Sequence, residues 1–125
     1  LLELGGNNAI IVMADADMDL AVRSVLFAAV GTAGQRCTTA RRLLLQDTIA
    51  DAFLERLAQA YSQVRIGDPL LPGTLMGPLH RPEAVEQYKA TVAEAVSAGG
   101  KLLYGGEPVS GNFVLPTIIR VTRDN

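Results

Sequence analysis

The chain has 125 residues, 49% of them hydrophobic, and carries 13 acidic against 11 basic side chains for a formal charge of −2. That length bounds it to one domain at most, and a positive mean hydropathy excludes a disordered tail. The near-neutral balance excludes a nucleic-acid binder that works through a strong basic field, so the expected partners are neutral or small. A single cysteine builds neither a disulfide framework nor a Cys-rich zinc site, which fits a free thiol in a reducing compartment. No apolar run reaches the ~18 residues a bilayer span needs, and the opening lacks the basic flank and long apolar core of a signal peptide. The expectation is a soluble, cytoplasmic protein. The opening Leu1-Leu2-Glu3-Leu4-Gly5-Gly6 has no initiator Met, and Arg123-Asp124-Asn125 ends without a helix, as in a segment of something larger.

In chain order, Ala9 to Met13 is continuously apolar, the composition of a strand buried on both faces. Asp15, Asp17 and Asp19 suit the positive end of a helix whose largely apolar body, Leu20 to Val30, predicts burial on most sides. Gly31 and Gly34 bracket its end. Gly34 to Thr39 then reads as a loop before a strand at Leu43-Leu44-Leu45, with the lone Cys37 between helix and strand. Ile49, Phe53, Leu57, Tyr61 and Val64 recur at helical spacing after Asp47, which can act as a cap. The Pro- and Gly-rich stretch from Gly67 through Pro78 predicts loop. Pro82 can open a third helix as its first residue, with Val85, Tyr88, Val92, Ala95 and Val96 facing inward and Gly99-Gly100 stopping it. Two strands follow, Lys101 to Tyr104 and roughly Phe113 to Val121 with Pro116 interrupting. Strands alternating with helices predict an α/β layered fold with a largely parallel sheet. Gly5-Gly6 and Gly105-Gly106 form neither a G-x-G-x-x-G fingerprint nor a phosphate loop.

Cys37 has two readings. Unpaired cysteines are among the most buried residue types, which favours a structural role. Against that, Gly34 frees the backbone, Arg36 places a permanent positive charge beside the thiol, and the loop can expose it, all conditions that favour a nucleophilic thiolate. Glu3 is either the solvated end of a strand or a carboxylate held in a cleft, where burial would raise its pKa toward that of a useful general base. His80 stands in a predicted loop without a cluster of further ligands, so it reads as solvent-facing and no metal site is expected. Tyr61 and Tyr88 read as core residues with exposed hydroxyls, and Arg41-Arg42 as a surface pair.

Glu3-Leu4-Gly5-Gly6 and Gly34-Gln35-Arg36-Cys37, with Cys37 thirty-four residues after Glu3, resemble the paired signature of the aldehyde dehydrogenase superfamily. Gly67-Asp68-Pro69, Gly77-Pro78-Leu79 and Gly111-Asn112-Phe113-Val114-Leu115-Pro116-Thr117 agree, so the resemblance covers the whole chain. Glu3 through Ile11 and Gly31 through Arg42 look most like the antiquitin branch, which oxidises α-aminoadipic semialdehyde, in equilibrium with piperideine-6-carboxylate, during lysine catabolism.

The resemblance implies a partial three-layer αβα catalytic domain over residues 1–125, the NAD-binding and oligomerisation segments lying elsewhere, and a homo-oligomer for the full-length enzyme. It implies NAD as cofactor, a small aldehyde as substrate, Cys37 as the nucleophile and Glu3 as the base that activates hydrolytic water. The acylating, coenzyme A-dependent relatives generally lack this glutamate. The backbone at Leu4 and Gly5 would lie near the nicotinamide. Arg36 would hold the carboxylate end of the substrate, or alternatively support Cys37 or form a surface ion pair. The Cys37 N–H would supply one oxyanion donor, its family partner asparagine lying upstream. The chain by itself is expected to lack dehydrogenase activity. A non-catalytic α/β module that self-associates through bare edges is the alternative, and residual thiol esterase activity is a minor third.

Overall fold

In the computed structural model, which describes residues 1–121, the chain divides into two compact units, Leu1–Val64 and Arg65–Asn125. The first unit contains β1 (Asn8–Val12), α1 (Met18–Val30), a short 3-10 turn (Gly31–Gly34), β2 (Ala40–Leu45) and α2 (Asp47–Ser62). β1 and β2 pair in parallel, Ile10 opposite Leu43 and Val12 opposite Leu45, with α1 as the crossover that parallel neighbours require. The register shifts between Asn8 and Ala9, where Asn8 faces Ala40 but Ala9 faces Arg42.

Asp17 caps α1 by accepting from the Leu20 N–H at 3.0 Å, so one of the helix's orphan donors is satisfied within the sequence itself. Only one side of α1 is buried. Val22, Val25 and Val30 enter the core while Leu20 and Phe27 stay 58% and 61% exposed, which corrects the expectation of burial on most sides. An all-round apolar helix shows where apolar surface is available, not which part its neighbours cover. α2 follows the predicted stripe, with Phe53, Leu57 and Tyr61 buried, and Arg56 reaches Asp19 of α1 at 2.7 Å. The cap position of α2 is Gln46, not Asp47; the Gln46 side-chain oxygen accepts instead from the Ala14 N–H at 2.8 Å, and Asp47 sits in the first turn facing the dipole. Tyr61 is buried rather than amphipathic, and burial pushes its hydroxyl up to about 12.

The second unit opens with a loop pinned by a single parallel bridge, Ile66 to Met76. α3 (Pro82–Ser97) starts on Pro82 and stops before Gly99, as expected; Val85 is buried, whereas Val96 in the last turn is exposed, contrary to the predicted face. β3 (Lys101–Tyr104) pairs with β6 (Ile118–Arg120), and β4 (Pro108–Ser110) with β5 (Phe113–Val114). Both pairs are antiparallel, so among the named strands of the described residues the expected parallel pairing belongs to β1 and β2 alone. The reason lies in the connections. The Gly111-Asn112 turn between β4 and β5 is too short for a crossover. The long strand expected at Phe113–Val121 is two short ones, broken at Pro116, which cannot donate to a ladder. The described helices include none long and apolar enough to cross a membrane.

Candidate active site

The C-terminus of α1 sets up the cysteine loop. The Gly31 N–H donates to Phe27 O, and the next three residues turn left-handed: Thr32 at φ 57°, Ala33 at φ 52° and Gly34 at φ 70°. Such dihedrals are ordinary for glycine but cost about 1–3 kcal/mol for a side-chain-bearing residue, most of all a β-branched one. Thr32 relieves part of this by donating its hydroxyl to Gly31 O at 2.6 Å, and Thr32 O accepts from both the backbone and the side-chain amide of Gln35, each at 3.1 Å. The strain therefore sits just ahead of the cysteine and is held by local hydrogen bonds.

Residues 36–39 form the next turn. The Thr39 N–H donates to Arg36 O at 3.1 Å, and the Arg36 N–H donates back to Thr39 Oγ1 at 3.2 Å. Thr39 is buried, while Cys37 and Thr38 occupy the exposed centre of the turn. The structural-cysteine reading is not met: Cys37 is a free, exposed thiol. Its N–H makes no hydrogen bond among the described residues.

Two contacts tie this turn to the strand that follows Glu3. Asn8 Nδ2 donates to Cys37 O at 2.7 Å and to Thr39 O at 3.2 Å. Arg42, on β2, donates through Nη2 to Asn7 O at 2.8 Å. Glu3 itself is exposed outside any regular element, as are Leu4 and Gly5, and no ion pair or hydrogen bond involves the Glu3 carboxylate among the described residues. The structure thus joins the backbones that carry Glu3 and Cys37 without enclosing the carboxylate. A Cβ built on Gly5 meets nothing within 4 Å, so among the described residues the space beside that backbone is open.

Arg36 is folded back on α1. Its guanidinium carbon lies 5.1 Å from the centre of the Phe27 ring, and Nη2 donates to Phe27 O at 3.3 Å. A cation stacked on an aromatic face at a helix C-terminus gains from both the ring quadrupole and the dipole. Its Nε is buried without an acceptor among the described residues, so the fork is only partly used. The surface-pair alternative is not what the structure places there. His80 is exposed, and no cluster of three metal-ligating side chains occurs among the described residues. Asn8, Thr39 and the left-handed Thr32-Ala33 pair were missed by sequence reasoning. The available signals were a polar side chain at the mouth of an apolar strand and a Thr that must be buried just before another.

The aldehyde dehydrogenase family model matches residues 1–125. The chain is 61% identical over 126 residues to the aldehyde dehydrogenase family 7 member A1 of Brassica napus, covering 99% of this chain and 26% of that protein. It is 56% identical over 121 residues to the α-aminoadipic semialdehyde dehydrogenase of Mus musculus, covering 95% of this chain and 22% of that one. Among solved structures, the glyceraldehyde-3-phosphate dehydrogenase of Methanocaldococcus jannaschii complexed with NADP superposes with a TM-score of 0.94 at 38% identity, over 98% of this chain and 27% of its own. The chain spans about a quarter of the length of these relatives.

Proposed function

This chain belongs to the aldehyde dehydrogenase family, and on that premise we propose that it supplies the nucleophile and the hydrolytic base of an enzyme that oxidises an aldehyde, α-aminoadipic semialdehyde in particular, to a carboxylic acid. The observation that carries the reading is the exposed Cys37 at the centre of a turn whose backbone is tied through Asn8 to the Glu3 segment. An exposed thiol with an unengaged N–H beside it can attack a carbonyl and donate to the oxygen that becomes negative.

In this reading Cys37 Sγ, as the thiolate, forms a bond to the aldehyde carbon, and the Cys37 N–H stabilises the oxyanion of the thiohemiacetal. A nicotinamide cofactor, when bound, supplies the acceptor for the hydride that leaves that carbon. The thioester left on Cys37 is then hydrolysed: Glu3 takes a proton from water, the hydroxide adds to the thioester carbonyl, and the C–S bond breaks to release the acid and the thiolate. The backbone of Leu4 and Gly5 would hold the nicotinamide, and the open space beside Gly5 fits a planar group approaching the main chain. The similarity to an NADP-bound dehydrogenase supports nicotinamide use, and we assign NAD on the resemblance to the antiquitin branch. Arg36 would meet the substrate carboxylate through Nη1, since Nη2 is given to Phe27 O and Nε is buried. We place the enzyme in the cytoplasm, where an exposed thiol stays reduced, and as a homo-oligomer built from the longer protein.

A second reading has its own observation. Ile11 and Leu44, opposite each other on the outer face of the β1–β2 pair, are 68% and 49% exposed, and such a face favours self-association of the chain by itself. The deciding experiment is the rate of Cys37 alkylation by iodoacetamide against pH, in the wild type and in Glu3→Gln, alongside an NADH assay with the aldehyde. A rate at neutral pH above that of a model thiol is the expected result, with no NADH formed by the chain alone. Slow alkylation would overturn the nucleophile assignment, and NADH that depends on both aldehyde and Cys37 would overturn the expected inactivity.

A further inference from the structure

We infer that Asn8 is a positioning residue for the nucleophile. The inference rests on the reading of Cys37 as that nucleophile and deepens it. The direction of a side chain is set by the two peptide planes on either side of its Cα, because those planes fix φ and ψ. At Cys37 both are held. The plane between Arg36 and Cys37 is fixed by the Thr39 N–H donating to Arg36 O. A trans peptide puts its N–H opposite its C=O, so this bond also turns the Cys37 N–H out of the turn. The plane between Cys37 and Thr38 is fixed from outside the turn, by Asn8 Nδ2 donating to Cys37 O at 2.7 Å. The second hydrogen of the same amide reaches Thr39 O at 3.2 Å and locks the far end of the turn.

Only a primary amide does this from one short side chain. It brings two donors on one nitrogen to two carbonyl oxygens. An aspartate at the same place would set a negative oxygen against both carbonyls. The other end of the Asn8 amide faces the glutamate motif: a Cβ added to Gly6 would stand 3.0 Å from Asn8 Oδ1. Asn8 thus lies between the two signature motifs, its Oδ1 against Gly6 and its Nδ2 on the cysteine turn. A side chain at position 6 would press on the Asn8 amide through this close approach, since Gly6 has no left-handed dihedral of its own.

The test uses the 125-residue chain with Asn8→Ala, Asn8→Asp and Gly6→Ala, and reads two things. The first is amide hydrogen exchange at Thr39, referenced to the Phe53 amide in the middle of α2. Asn8→Ala and Asn8→Asp are expected to lower Thr39 protection by about tenfold at neutral pH with Phe53 unchanged, and Gly6→Ala by about threefold. In Asn8→Asp part of the protection should return at acidic pH, where a protonated carboxyl can donate to one carbonyl. The second is the alkylation profile of Cys37, expected to move in each variant toward that of the urea-unfolded chain. Wild-type protection at Thr39 in Asn8→Asp overturns the positioning role, as does an alkylation profile that stays distinct from the unfolded chain in all three variants. Should wild-type Cys37 react like the unfolded thiol, the nucleophile reading fails, and Thr39 exchange alone then decides whether Asn8 pins the turn. Should Asn8→Ala not fold, Gly6→Ala and Asn8→Asp carry the comparison.

Discussion

The cysteine turn of the first unit and the threonine knot of the second use hydrogen bonds to opposite ends. In the second unit Thr117 Oγ1 accepts from the Gly106 N–H at 2.9 Å, meets the Tyr88 hydroxyl at 2.7 Å and donates to Leu115 O at 3.1 Å; Tyr88 OH reaches the same carbonyl at 3.0 Å. The two hydroxyls there are spent on each other and on Leu115 O, so the knot fixes a backbone crossing. In the cysteine turn the carbonyls of residues 36, 37 and 39 are engaged, yet the Sγ and N–H of Cys37 are not. A hydrogen-bonded frame around unengaged groups is what the proposed site has and the staple lacks.

The largest effect should come from breaking the staple. Gly105 has φ +74°, and a Cβ there would overlap Pro116 O and stand 2.8 Å from Thr117 Oγ1, so Gly105→Ala should cost about 3 kcal/mol in urea unfolding. An unchanged midpoint would mean the crossing is loose. The next tests the core of the first unit. Tyr61 ionises near its ordinary 10 when unfolded and at about 12 when buried, so its stabilising contribution is full below pH 10 and lost as pH rises toward 12. That loss amounts to about 2 to 3 kcal/mol. Tyr61→Phe should flatten the alkaline slope, and a slope that survives the change would point to another group.

A smaller effect separates the two roles of Arg36. In the complete enzyme, Arg36→Ala should raise KM for a carboxylate-bearing aldehyde about tenfold more than for a neutral one, the value of one lost charged hydrogen-bond pair. Equal changes would leave Arg36 with its Phe27 contact alone. The smallest prediction concerns strain: Thr32→Asn, a residue that tolerates the left-handed region, should stabilise the chain by about 0.5 to 1 kcal/mol. Destabilisation instead would mean that the Thr32 hydroxyl bond to Gly31 O outweighs the backbone cost.

Much of the framework was legible because it is written in local chemistry. The apolar run at Ala9 announced β1, the four-residue spacing of Phe53, Leu57 and Tyr61 announced α2, and Pro82 marked the first residue of α3. β4 was not legible: its three residues are all exposed and carry no alternation, and the strand exists because Gly111-Asn112 returns the chain onto it. The open face of α1 was hidden by composition, since Leu20 and Phe27 look like core residues until the neighbours are placed. Of the site, residue types marked Cys37 and Glu3 only as candidates with structural readings still open, and the resemblance to the aldehyde dehydrogenase signature is what gave roles to them and to Arg36. Asn8 was not legible, because its partners are 29 and 31 residues away and meet it only once β1 and β2 lie parallel.

The register shift between β1 and β2 bears on how this segment tolerates change in length. One step along β1, from Asn8 to Ala9, corresponds to two along β2, from Ala40 to Arg42, so Arg41 is the residue taken up by the shift. Deleting a residue between Thr39 and Leu43 would have to be absorbed at that point or would carry Leu43 and Leu45 from the inner face to the outer one. Point replacements at Arg41 leave the count intact. Gene-length variation should therefore be far less permissible across these few codons than amino-acid variation.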